Sequence, residues 1–140
     1  MSSLPADDQR ALDATDPGSA SRIPIPVASF VGREKELARI PRLLDDDQTR
    51  LLTLTGPGGV GKTRLALEVA RRVEADFADG SRYVRLATAR DPSEALPTVA
   101  HAVGATVHRD RSLMDTVVDA LRDRHVLLAL DNFEHLLAVP

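Results

Sequence analysis

Apolar residues recur along this chain with two different spacings, and each change of spacing marks a candidate element. Between Arg33 and Asp45, Leu37, Ile40, Leu43 and Leu44 fall at helical intervals. Pro41 lies inside that pattern and predicts a kink or a split, because it lacks an N–H and its ring crowds the preceding turn. The run Asp45-Asp46-Asp47 is unfavourable at the negative end of a helix and predicts its stop. Such a run reads as solvated loop far more readily than as a three-carboxylate metal site. Leu51-Leu52-Thr53-Leu54-Thr55 predicts a short strand buried on at least one face. A glycine-rich turn, 56–61, follows at once. Lys62 to Phe77 then predicts an amphipathic helix, with Leu65, Ala66, Val69, Ala70, Val73 and Phe77 on one face.

Asp79-Gly80 is a turn signal, and Arg82 to Leu86 predicts a second strand. A helix is expected over Ser93–Val103, with Pro97, a residue favoured in a first turn, as an alternative start. Ser112 with Asp115 three residues on resembles a capping box and opens a helix over Leu113–Arg124. His125 to Leu130 is apolar from Val126 onward, as expected of a parallel strand covered on both faces, and ends at Asp131. Phe133–Leu137 begins another helix. The order β-α-β-α-α-β predicts an α/β fold with a mostly parallel sheet.

Residues 1–22 show no periodicity and are rich in Asp, Ser, Ala and Pro-Gly, which predicts a disordered tail. Ile23-Pro24-Ile25-Pro26 favours an extended lead-in. The expected division is therefore a tail and linker over 1–28 and one partial domain over 29–140. A hydrophobic content of 43% sustains a core, while an aromatic content of 3% makes that core aliphatic and removes any stacking platform for single strands. The net charge of −3 argues against direct nucleic-acid binding by this segment. With no Cys, disulfides and Cys-based zinc sites are excluded. His101, His108, His125 and His135 share no metal-ligand spacing and read as surface or packing residues. The longest apolar run, Val126–Leu130, is far too short to span a membrane, and Met1–Arg10 has no leader pattern. A soluble cytoplasmic protein with no membrane partner is expected.

Gly56-Pro57-Gly58-Gly59-Val60-Gly61-Lys62-Thr63 matches G-x-x-x-x-G-K-[ST] at every fixed position. Glycines let such a loop aim successive N–H groups into one concave nest, and the helix behind it adds a partial positive charge. Lys62 would reach the β- and γ-phosphates, and the Thr63 hydroxyl would ligate Mg²⁺. Arg64 extends this candidate nucleotide-binding run. Gly56, Gly58 and Gly61 also satisfy G-x-G-x-x-G, the dinucleotide pattern. That reading needs an acid after the next strand, where Ala87, Thr88 and Ala89 stand, and it leaves Lys62-Thr63 unexplained.

A P-loop nucleotidase also needs a carboxylate at the end of another strand, to hold the Mg²⁺ shell, and Asp131 supplies it. Lys62 and Asp131 are the candidate catalytic residues, Thr63 and Asp131 the candidate metal ligands. Asn132 stands where many such enzymes carry a Glu that activates water, and an amide takes no proton from water. The nearest acid is Glu134. A slowly changing nucleotide-bound state is expected, with weak ATPase activity at most.

Phe30-Val31-Gly32-Arg33-Glu34, LLTLTGPGGVGKTRLA at 51–66 and LLALDNFEHLL at 127–137 together resemble the STAND class of P-loop ATPases. The likeness is to the NB-ARC-like domains of large bacterial LuxR-type transcription regulators. It implies a three-layer α/β/α P-loop NTPase fold with ATP or ADP and Mg²⁺ as ligands. Val31 would border the adenine and Arg33 would lie near the phosphates. The resemblance further implies a switch in signal transduction, held at rest by ADP and opened by exchange for ATP. Family members continue with a further strand, a helical subdomain, a winged-helix region and effector domains, which would be this segment's partners. The further strand lies between the strand before the P-loop and the strand ending in Asp131. The sheet is thus expected to be incomplete toward the C-terminal end, with its remaining strands paired directly or poorly packed. Two other readings stand beside the switch: a true ATP-hydrolysing enzyme, and an inert remnant without stable nucleotide binding.

Overall fold

The structure, a computed structural model, describes residues 23–25, 29–107 and 109–136. The expected tail over 1–22, together with Pro26, His108 and Leu137, lies outside the described residues. Four helices run over Glu34–Leu44 (α1), Lys62–Arg72 (α2), Pro92–Ala102 (α3) and Leu113–Leu121 (α4). Two strands, Ser81–Arg85 (β1) and Leu127–Asp131 (β2), pair in parallel from Ser81↔Leu127 to Arg85↔Asp131. Leu86 N–H donates to the Asp131 carbonyl at 3.0 Å and extends the ladder past the strand ends. The expected α/β class holds, as a small parallel sheet with helices. Among the described residues, no helix is long and apolar enough to cross a membrane.

Local signals explain most element starts. Asp91 caps α3 by accepting from the N–H groups of Ser93 and Glu94, and Pro92 supplies a preset φ at the first turn. That cap wins over Pro97, which sits inside α3 rather than starting it. Hydrogen bonds to Ser93 and Glu94 hold the Asp91 carboxyl below the usual carboxylate range, the Ser93 hydroxyl contributing most. Ser112 caps α4 as expected, accepting from Asp115 N–H at 3.0 Å, although α4 stops at Leu121 instead of reaching Arg124. Asp79 and His125 bond reciprocally, at 3.0 Å and 2.7 Å, so the turn at 79–80 clamps the entry to β2.

Several elements differ from expectation. Pro41 does not split α1, which runs unbroken to Leu44. α2 ends at Arg72, and Glu74–Asp76 forms a 3₁₀ turn, because the backbone leaves helical angles at Val73. Phe77 instead stacks against His125, with ring centroids 4.8 Å apart. Leu51–Thr55 joins no sheet. Its side chains still alternate, Leu52 and Leu54 turning toward the core and Leu51 outward. A strand needs a hydrogen-bonding neighbour, and among the described residues none flanks it. For the same reason β2 is only half-buried, with Leu130 41% exposed, rather than covered on both faces. The helix expected from Phe133 is a 3₁₀ turn over Glu134–Leu136.

Apolar packing falls into two clusters. One joins Leu37 and Ile40 of α1 to Leu65 and Val69 of α2, with Phe30, Leu44, Leu52 and Leu54 against them. The other gathers Val84, Leu86, Ala89, Ala95, Ala102 and Leu136 around β1 and α3. All these side chains but Phe30 are aliphatic, as the composition required.

Glu68 is the buried carboxylate of α2. It accepts from Arg72 Nε at 2.8 Å and Arg71 Nη2 at 3.2 Å, and both arginines stay half-exposed. The Arg72 hydrogen bond is the main cause that holds its carboxyl below the ordinary value, against the opposing effect of burial. A lowered folded-state value contributes stability above the unfolded carboxyl pKa of about 4.3, and loses it as pH falls through the folded value. Glu68→Gln should therefore cost about 1 kcal/mol at neutral pH, and nothing once the wild-type carboxyl is protonated. Thermal melts of both proteins from neutral into acid pH check this: the two curves should converge in acid.

Candidate functional site

The site lies where the turn before α2 meets the end of β2. Gly61 precedes α2 with φ +83°, a left-handed conformation that strains any residue with a Cβ. Gly56 has φ +153°, and a Cβ there would press on Val60 Cγ2 at 3.3 Å. The turn thus closes tightly over residues 56–61 and delivers Lys62 and Thr63 to the first helical positions. Lys62 Nζ donates to the carbonyls of Gly56 at 2.8 Å and Pro57 at 3.1 Å, folding back across the loop.

Thr63 Oγ1 donates to Asp131 Oδ1 at 2.8 Å, joining residues 68 apart in sequence. The other carboxylate oxygen, Oδ2, accepts from the Tyr83 hydroxyl at 2.8 Å. Burial, then the Asp131 carboxylate, push the Tyr83 hydroxyl well above the usual phenol range, so it remains a donor at neutral pH. Sequence reasoning missed Tyr83. Its signal is register: Arg85 pairs with Asp131, and Tyr83, two residues earlier, lies on the same face of β1 within diagonal reach. Only knowledge of which strands pair could have found it.

Arg33 also reaches the turn. It precedes α1 with φ +60° and ψ +34°, unusual for a residue with a side chain. Its guanidinium donates to the Val60 carbonyl and faces Glu36 at 3.8 Å. Val31 is 88% exposed and lines an open cleft of about 380 Å³ with Phe30, Gly32, Leu37 and Arg72, away from residues 56–63. Arg64 points away from the turn as well: it donates to the Ser29 carbonyl at 3.1 Å and lies over the Phe30 ring. Asn132 turns the chain after β2 with φ +61°, and Glu134 is exposed beyond it. The structure therefore brings together the 56–63 turn, Arg33 and Asp131. Val31 and Arg64 stand apart from that group.

Residues 45–139 match the family described as AAA domain. The chain belongs to the AAA domain family. AAA domains have a P-loop NTPase fold, whose members generally bind nucleotide with Mg²⁺. This AAA chain is 43% identical over 111 residues to an uncharacterized protein of Mycobacterium tuberculosis, covering 79% of the chain and 28% of that protein. It is 44% identical over 90 residues to a protein of the same organism named as an HTH-type transcriptional regulator, covering 64% of the chain and 10% of the regulator. It is also 30% identical over 149 residues to regulatory protein AfsR of Streptomyces griseus, covering 92% of the chain and 15% of AfsR. The AAA chain thus spans well under a third of each of these relatives. No solved structure matches it.

Proposed function

We propose that this AAA chain is the nucleotide-holding module of a STAND-type regulator, NB-ARC-like in kind, that binds ADP or ATP with Mg²⁺ and changes state slowly. The observation that carries this is the Thr63–Asp131 hydrogen bond, which sets the hydroxyl of a G-x-x-x-x-G-K-T turn against the acid at a strand end. In this reading the N–H groups of residues 56–61 cradle phosphate oxygens, and Lys62 leaves the carbonyls of Gly56 and Pro57 to pair with the terminal phosphates. Thr63 and Asp131 offer hard oxygen donors that suit Mg²⁺. Among the described residues no three His, Asp or Glu side chains cluster as a metal site. A cation here would take its remaining ligands from phosphate and water, as Mg²⁺ commonly does. When bound, Mg²⁺ supplies charge neutralisation between the phosphate oxygens.

Arg33, through the Val60 carbonyl, would fix the crest of the loop, with Val31 near the base and Arg64 bracing the 29–30 segment. Asn132 accepts no proton, which favours holding nucleotide over rapid hydrolysis. In the whole protein, a strand from elsewhere would fill the position between Leu51–Thr55 and β2. The domain would then be the part of a cytoplasmic transcription regulator that responds to nucleotide, with residues 1–28 leading into it. Calorimetric titration with ADP and with ATP, each with Mg²⁺, should give saturable one-to-one binding and only slow phosphate release. Absence of binding at millimolar nucleotide would reject the reading; fast steady-state release lost in Asp131→Asn would replace it with a true ATPase.

A further inference from the structure

We infer that Tyr83 is a positioning residue for Asp131, fixing the carboxylate so that one oxygen is pre-aimed at the Mg²⁺ shell beside Thr63. This rests on the nucleotide reading above and adds to it a residue outside the phosphate turn and outside the strand-end acid. The geometry is specific. Asp131 has two oxygens, and each has its own donor: Thr63 on Oδ1 and Tyr83 on Oδ2, both at 2.8 Å. A carboxylate held by one bond turns about its terminal torsion, which is broad and roughly two-fold. Held at both oxygens, on a half-buried strand end, it keeps one plane.

The two donors come from different elements, α2 and β1, so the carboxylate plane is set by two elements of the fold at once. Thr63 would turn its oxygen lone pair toward the cation on loading. Tyr83 has no such second duty and stays on Oδ2, where a cation drawing on the same carboxylate would weaken the hydroxyl's hydrogen bond and alter its emission. A phenol also suits the task chemically. A guanidinium in its place would offset the charge that draws the cation, whereas a hydroxyl orients the carboxylate and adds no charge of its own. Arg85, the register partner of Asp131, is exposed and shows no ion pair to it among the described contacts. Outer partners of this kind orient metal ligands, and their loss typically costs roughly 10–100-fold in metal affinity.

The chain has one tyrosine and no tryptophan, so its intrinsic emission reports Tyr83 alone. The test measures ADP affinity with Mg²⁺ and with a chelator, for the wild type and for Tyr83→Phe, with melting curves to verify folding. Tyr83→Phe should lose roughly tenfold of the affinity gained from Mg²⁺, while its metal-free ADP affinity stays within about twofold of wild type. In the wild type, tyrosine emission should change on adding Mg²⁺ to the ADP-loaded protein and not on adding ADP with chelator. An undiminished Mg²⁺ gain in Tyr83→Phe, or a parallel fall with and without metal, overturns the positioning role and leaves the nucleotide reading standing. So does ADP binding by the wild type that shows no Mg²⁺ gain at all. Failure of the wild type to bind ADP under either condition overturns both. If Tyr83→Phe does not fold, the wild-type emission decides: silence on Mg²⁺ addition sinks the inference.

Discussion

Replacing Lys62 with alanine should abolish the thermal stabilisation that nucleotide confers on the wild-type protein. A ligand bound only by the folded state stabilises by RT ln(1 + [L]/Kd), about 2.7 kcal/mol at one hundred times Kd. For a domain of this size that raises the melting temperature by on the order of 10 °C. In the proposed reading Lys62, which now bonds the Gly56 and Pro57 carbonyls, would supply most of the side-chain charge on the terminal phosphates, because the rest of the cradle is backbone. Its own bonds in the free protein are to exposed loop carbonyls, so the substitution should shift the nucleotide-free melt by only a degree or two. Lys35, the other lysine, is exposed on α1, and Lys35→Ala should keep the full nucleotide shift. Scanning calorimetry with saturating ADP and Mg²⁺ separates the cases. Retention of the shift in Lys62→Ala would mean that nucleotide is held elsewhere.

The second large effect concerns the fold beneath the turn. Leu65 is 3% exposed and lies one turn below Lys62, packed among Leu37, Ile40 and Val69, with Leu52 and Leu54 against it. Leu65→Ala removes apolar contacts and leaves a cavity, at a cost of about 2–5 kcal/mol. The melting temperature should fall by at least about 10 °C. Leu52 and Leu54 hold the Leu51–Thr55 segment through side-chain packing with no strand pairing, so that segment should open first. Hydrogen exchange there should rise more than in β1 and β2. Leu130→Ala, at a 41%-exposed position, should cost well under 2 kcal/mol. A Leu65→Ala cost below about 1 kcal/mol would show that the α1–α2 cluster is not a packed core.

Features written into neighbouring residues were readable before any coordinates. The 56–61 turn, the α4 cap at Ser112 with Asp115, and the end of β2 at Asp131 each depend on a few adjacent side chains. Features that depend on a partner distant in sequence were not. Leu51–Thr55 has the alternation of a strand, yet alternation describes burial and cannot supply a hydrogen-bonding neighbour. Phe77 continues the apolar stripe of α2, but its partner is His125, reached only after the chain has left the helix. At α3 two local signals competed, and the capping carboxylate of Asp91 prevailed over the ring of Pro97. Tyr83 looks like any strand aromatic until β1 and β2 are set side by side. The gathering of Arg33, Thr63 and Asp131 mixes both kinds: each residue stands out in its own motif, while their proximity is a property of the fold.

Among the described residues, Arg33 and Asn132 are the two that carry a side chain and a positive φ; the first precedes α1 and bonds the Val60 carbonyl of the turn, and the second follows Asp131. For an engineer seeking a sturdier protein, position 33 would be an obvious target, since glycine there relaxes the backbone by about 1 kcal/mol. The same change would sever the tie from α1 to the Val60 carbonyl. Robustness and loop control pull in opposite directions at this residue, and the chain carries an arginine where its backbone alone would favour glycine.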